Sequence, residues 1–68
     1  MNQHVEWLIA TLQVHLAFAE TQSERLLALA QRITDPQVRK ECQQLAKEAE
    51  NQAAEIRDQI QQLEGEEL

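Results

Sequence analysis

One short break divides a chain that otherwise favours helix throughout. Pro36 is the only proline and Gly65 the only glycine, and alanine, leucine, glutamine and glutamate dominate on both sides of Pro36. The residue before a proline is steered away from helical geometry, so the chain must turn near Asp35. The sequence therefore predicts an all-α fold in a single domain spanning residues 1–68. We expect helix 1 over about 3–33, a turn at 34–36, and helix 2 over about 36–64 with Gly65 as its C′ residue.

Two residues of the turn are candidates for the N-cap of helix 2. Asp35 as N-cap would place Pro36 at the first helical position, where its missing N–H costs nothing. Thr34 as N-cap would instead form a capping box with Gln37 and a hydrophobic staple between Ile33 and Val38. Both alternatives give a turn so short that the two helices must lie antiparallel.

Apolar and small residues recur at spacings of three and four on one face of each predicted helix, as in coiled-coil packing. In an antiparallel hairpin, residues whose numbers sum to about 69 lie at the same height, and the two faces match on this rule. It pairs Leu26 with Cys42 and Leu12 with Ile56, and it places small residues opposite one another in the middle, where the helices should approach most closely. The predicted faces are Val5, Leu8, Ile9, Leu12, Leu16, Ala19, Ser23, Leu26, Ala30 and Ile33 on helix 1, and Val38, Cys42, Leu45, Ala46, Ala49, Ala53, Ile56, Ile60 and Leu63 on helix 2.

Helix 1 carries a second apolar stripe formed by Trp7, Val14 and Phe18. A helix that is apolar on more than one side is usually buried on more than one side, so we expect these three residues to contact a second chain or an outside protein partner. The alternative is that the aromatic residues are isolated on the surface. His15, Gln22 and Gln52 fall at the edge of the predicted interhelical face, where they form either a polar layer that selects the oligomer or a solvated rim.

Stability also favours association. A chain of 68 residues has room for a core worth roughly 3–5 kcal/mol, and small folds of this size usually rely on disulfides, metals or other chains. A single cysteine, Cys42, cannot form an internal disulfide and is typical of a reducing compartment. We therefore expect a homo-oligomer, a helical bundle of two or more hairpins.

Charge and hydropathy limit the partners. The formal net charge is −6, which argues against DNA and against RNA, since phosphate binding needs clustered lysine and arginine. The N-terminus lacks the features of a signal peptide, and no run approaches the ~20 apolar residues of a membrane span, so we expect a cytoplasmic protein away from membranes.

Charge is uneven along the hairpin. Residues 25–47 hold five basic and two acidic side chains, a net of +3, whereas the remainder holds one basic and ten acidic side chains, a net of −9. This gradient favours two hairpins packing with their turns at opposite ends, although each exposed contact contributes only about 0–1 kcal/mol.

Catalytic chemistry has little support in the sequence. Di-iron bundles use Glu-x-x-His pairs, which this chain lacks, so a metal site would have to be assembled across chains from His15 with Glu48 or Glu55. Cys42 is predicted to be an inert core thiol. We expect no enzyme activity, no cofactor and no metal.

Two resemblances bear on the reading. The length, the Asp-containing turn and the polar tail resemble the Rop-type hairpin dimer, a four-helix bundle that binds RNA loops. The segment from Thr34-Asp35-Pro36-Gln37 through Gln61-Gln62-Leu63-Glu64-Gly65-Glu66-Glu67 resembles short helical-hairpin proteins of spore-forming Bacillales, which imply a fold but no activity. The sequence thus predicts a protein–protein interaction or scaffold module, with a metal-binding bundle and a Rop-like RNA-binding dimer as alternatives.

Overall fold

A computed structural model describes residues 3–66, which form two α-helices and no strand. Helix α1 spans Gln3–Arg32 and helix α2 spans Pro36–Glu66. The two helices pack against each other along their length as an antiparallel hairpin about 52 Å long. The predicted two-helix fold is confirmed for this part of the chain.

The turn is closed by Asp35, which is the N-cap of α2. Its Oδ1 accepts hydrogen bonds from the backbone N–H groups of Gln37 at 2.9 Å and Val38 at 3.2 Å. Its carbonyl oxygen accepts the first intrahelical bond, from the N–H of Arg39 at 2.9 Å. Pro36 therefore occupies the first helical position, and Asp35 rather than Thr34 satisfies the free N–H groups that every helix start leaves.

The same arginine also caps the end of α1. The Nε and Nη2 atoms of Arg39 donate to the carbonyl oxygen of Ile33 at 2.9 and 2.7 Å. The last carbonyls of a helix have no intrahelical partner, and a guanidinium is well suited to bind one of them because it also carries charge opposite to the helix C-terminus. Arg39 thus joins the end of α1 to the first turn of α2.

The end of α2 differs from the expectation. We predicted that Gly65 would terminate the helix near residue 64, but α2 continues through Gly65 to Glu66. A C′ glycine acts through a left-handed, positive φ, and Gly65 does not have one. An interior glycine costs a helix only about 1 kcal/mol relative to alanine, which is too little to end it.

The interior between the helices is built from small side chains. The buried residues are Ala19, Ser23 and Ala30 in α1, and Cys42, Ala46, Ala53 and Ile60 in α2. No large side chain among the described residues is fully buried. The predicted small-residue centre is therefore present, and the hairpin by itself removes little large apolar surface from water.

The pairing of heights is confirmed near the turn. The thiol of Cys42 lies 3.2 Å from the carbonyl oxygen of Leu26, close enough to donate a hydrogen bond across the helix interface. These two residues were predicted to lie opposite each other, so the register follows the predicted sum.

Four residues predicted to lie between the helices occupy an edge instead. Leu8, Val38 and Leu45 are 41%, 46% and 52% exposed, and Ala49 is only half-buried. On each helix these residues lie on the same side of the buried residues. The strip of a helix that the other helix covers is narrower than its apolar face, so one edge of that face stays open. These residues belong to one open side of the hairpin.

Candidate functional site

The two sides of the hairpin differ in character. One side, here called the ion-pair face, carries the salt bridge between Glu20 and Arg57 at 3.0 Å, together with Leu27, Arg39 and Gln43. Both members of the salt bridge are about half exposed, so it contributes at most about 1 kcal/mol. Polar and charged groups thus bridge the helices on this side.

The opposite side, here called the groove face, has an open cleft between the helices that is lined about equally by apolar and polar residues. At its middle the cleft has a volume of about 570 Å³. Its apolar floor is flanked by carboxylate and amide side chains of α2. The lining residues are Phe18, Ala19, Gln22, Leu26, Leu45, Glu48, Ala49, Asn51, Gln52 and Glu55.

Two further clefts extend this groove toward the open end of the hairpin. The first shares Phe18, Ala19 and Gln52 with the central cleft and adds Val14, His15 and Ile56. The second lies beyond it and is lined by Leu8, Leu12, Gln59, Gln62, Leu63 and Glu66. The groove face therefore runs along most of the hairpin.

The predicted contact stripe borders this groove. Val14 and Phe18 line it directly and are 68% and 66% exposed. Trp7 is 70% exposed and precedes Phe18 by eleven residues, which is close to three helical turns, so it lies on the same row of α1. Leu29, eleven residues after Phe18, is 51% exposed and extends that row. The structure thus places the stripe beside the groove, and Leu29 extends the stripe toward the turn.

The three predicted polar residues also lie in the groove. His15 and Gln52 line one cleft, and Gln22 and Gln52 line the next. Gln22 is half-buried in the hairpin, whereas His15 and Gln52 are exposed. The structure brings the three residues together on one surface, and their role in an oligomer stays a prediction.

Sequence reasoning named Glu48 and Glu55 only as possible metal ligands and did not identify the rows of charge that flank the groove. Glu41, Glu48 and Glu55 follow one another at intervals of seven residues on α2, and the last two line the central cleft. Arg25 and Arg32 continue the row of Phe18 on α1 at the same interval. Residues seven apart lie nearly above one another on a helix, so the signal was present in the spacing.

Residues 3–66 hold neither a metal-ligand cluster nor a membrane-spanning helix. No group of three or more His, Cys, Asp or Glu side chains there is placed to hold a metal ion. No helix in the same range is long and apolar enough to cross a membrane.

Comparisons with known proteins returned no match: no family model, no curated protein and no solved structure is significantly similar to the chain.

Proposed function

We propose that this chain is a non-enzymatic protein–protein interaction module that forms a homo-oligomeric helical bundle through its groove face. The observation that carries the proposal is the one-sided distribution of exposed apolar side chains. Among residues 3–66, seven of the eight large hydrophobic residues that are strongly exposed belong to the groove face or its border, and Leu27 is the one on the ion-pair face. The seven are Trp7, Leu8, Val14, Phe18, Leu29, Val38 and Leu45.

Exposed apolar side chains that are contiguous rather than scattered mark an interaction surface. Val38 precedes Leu45 by seven residues on α2, and both face the same side as the groove lined by Leu26 and Ala49. The small buried residues of the hairpin contribute little hydrophobic free energy, and covering this face would add large side chains to the core. In such a bundle, the contact between groove faces both stabilises the helices and joins the chains.

The acidic side chains of the same face bear on the RNA-binding alternative. Glu48 and Glu55 line the central cleft, and Glu66 lines the cleft near the open end. Carboxylates at these positions repel phosphate, and they favour a protein as the occupant.

The experiment compares two leucines of nearly equal exposure. Leu45, on the groove face, is 52% exposed, and Leu27, on the ion-pair face, is 48% exposed. Leu45→Gln should weaken self-association by about tenfold or more, because each symmetric contact loses a buried leucine, whereas Leu27→Gln should leave it unchanged. Glutamine is a good helix former, so both variants keep their helices.

The measurements are sedimentation equilibrium and thermal melts across a hundredfold range of protein concentration. We expect a dimer or larger species at micromolar concentration and a melting temperature that rises with concentration, since folding and association are linked. A monomer with a melting temperature independent of concentration would refute the proposed function. Equal effects of the two leucine substitutions would show that the groove face is not the interface.

A further inference from the structure

From the charges that flank the groove we infer that its occupant is a second copy of this chain, packed with its turn at the same end. This inference rests on the proposed function and specifies its partner and geometry. In this arrangement α1 of each copy lies over α2 of the other. The alternative places the turns at opposite ends, with α1 over α1 and α2 over α2.

The two rims of the groove carry opposite charge. The α2 rim is acidic, with Glu41, Glu48 and Glu55 at intervals of seven residues. The α1 rim carries Arg25 and Arg32 on the row of Phe18. All five side chains are exposed in the single hairpin. The groove face is thus polarised across its width, from α1 to α2.

Turns at the same end imply a twofold axis parallel to the helices, which determines where the charges of the two copies lie relative to each other along the axis. Each residue of one copy then lies level with the same residue of the other, so the hairpin register also describes contacts between copies. Arg25 comes level with about residue 44 of the other copy, within about one helical turn of both Glu48 and Glu41. Arg32 comes within about one turn of Glu41. Every basic side chain of the α1 rim therefore meets an acidic one.

Turns at opposite ends give the reverse result. Reversing α2 about its middle brings Glu48 of one copy level with residue 54 of the other, beside Glu55. The two acidic rims then face each other near the centre of the bundle, where like charges oppose association. Arg25 would lie near Ala10 of the other copy, and Glu6, the nearest acid in height, lies on a side of α1 away from the groove face.

The charge gradient along the axis favours turns at opposite ends, whereas the rim charges favour turns at the same end. The relative strength of the two electrostatic effects decides between the arrangements. The gradient is spread over exposed side chains on every surface of the hairpin, and most of them stay in bulk water, where an ion pair contributes only about 0–1 kcal/mol. The rim charges stand at the contact itself, partly shielded from solvent by it. The rim contacts therefore outweigh the axial gradient at physiological salt.

The size of the face suits a second copy. The hairpin measures 52 by 14 Å between backbone atoms, so a face-to-face contact covers roughly 700 Å² on each copy, close to the ~800 Å² of a standard stable interface. The same surface supplies both the apolar floor and the two charged rims, as a self-complementary contact requires.

The first test measures the distance between the two turns. Thr34 is exposed and is not the helix cap, so Thr34→Cys in a Cys42→Ala background gives one site for a nitroxide spin label. Double electron–electron resonance should find a distance of roughly 15–30 Å, because neighbouring helices lie about 10 Å apart and the label adds the rest. A distance near the 52 Å length of the hairpin would overturn the inference and leave the proposed function intact. A monomer by light scattering would refute both.

The second test uses a substitution whose effect changes sign between the two arrangements. Glu48→Arg should raise the dimer dissociation constant by about fivefold or more, because it places arginine against Arg25 and leaves Glu41 as the only nearby acid. With turns at opposite ends it would instead lower the constant, since it relieves the repulsion from Glu55. Adding Arg25→Glu to Glu48→Arg should restore affinity to within about threefold of wild type. Glu50→Arg makes the same charge change two residues away, off the groove face, and should have little effect.

Discussion

The thiol of Cys42 and the carbonyl oxygen of Leu26 lie 3.2 Å apart, across the interface between the two helices. Cys42 is buried, and it is the only cysteine in the chain. The contact is the clearest marker of the register in which the hairpin is packed.

We expect Cys42 to react with a thiol reagent only when the hairpin opens. In native buffer, alkylation by iodoacetamide should be at least tenfold slower than in denaturant, because the reagent cannot reach a buried sulfur. The Thr34→Cys variant supplies an exposed thiol for comparison and should react at the rate of a free peptide thiol. Equal native rates at the two positions would contradict the packing of α2 described here.

The cap of α2 gives a prediction that separates neighbouring residues. Asp35→Ala should lower the free energy of unfolding by about 1 kcal/mol, since it removes the acceptor for the N–H groups of Gln37 and Val38. Thr34→Ala should change it by less than about 0.5 kcal/mol. Urea denaturation followed by circular dichroism measures both. A larger loss for Thr34→Ala would mean that the threonine hydroxyl caps the helix in solution.

Arg39 should matter for stability through its contact with the end of α1. Arg39→Ala removes both bonds to the carbonyl oxygen of Ile33, and we expect a loss of about 1 kcal/mol in the free energy of unfolding. Lys40→Ala, next in the chain, removes the same charge from the same helix turn without a described capping bond, and should cost less than about 0.5 kcal/mol. If the two losses are equal, charge rather than capping explains the effect.

The close approach of the helices can be tested with two adjacent alanines. Ala53 is 1% exposed and Ala54 is exposed on the same helix. Ala53→Leu should lower the free energy of unfolding by about 1–3 kcal/mol through overpacking, whereas Ala54→Leu should be within about 0.5 kcal/mol of wild type. The added atoms and the helix propensity are the same, so the difference measures burial. Equal free energies in urea would place the wrong face of α2 against α1.

Ala49, by contrast, cannot serve for that comparison. The sequence predicted it to be a close-contact residue, but it is half-buried and lines the central cleft. A larger side chain there would project into the groove rather than into α1. Its effect therefore depends on what covers the groove, whereas Ala53 reports on the hairpin alone.

The sequence by itself determined the number of helices, the position of the turn, the register and the small-residue interior. Each of these follows from a local or periodic rule. A proline disrupts the helical geometry of the residue before it, a tight turn forces antiparallel packing, and the 3.6-residue period brings Leu26 opposite Cys42. The exposed row of Trp7, Val14 and Phe18 was also readable from the spacing, whereas its contact with a partner stays a prediction.

Only the tertiary structure decided how each helix is rotated about its axis. Both apolar faces are wider than the strip that another helix can cover, so periodicity alone cannot say which edge stays open. The observed rotation buries Ala46 and Ala53 and leaves Leu8, Val38 and Leu45 on the groove face. It also brings Glu20 to Arg57, a pair too far apart in sequence for spacing to suggest. The choice of Asp35 over Thr34 as the cap was likewise three-dimensional, because both side chains carry a suitable oxygen and the path of the turn selects between them.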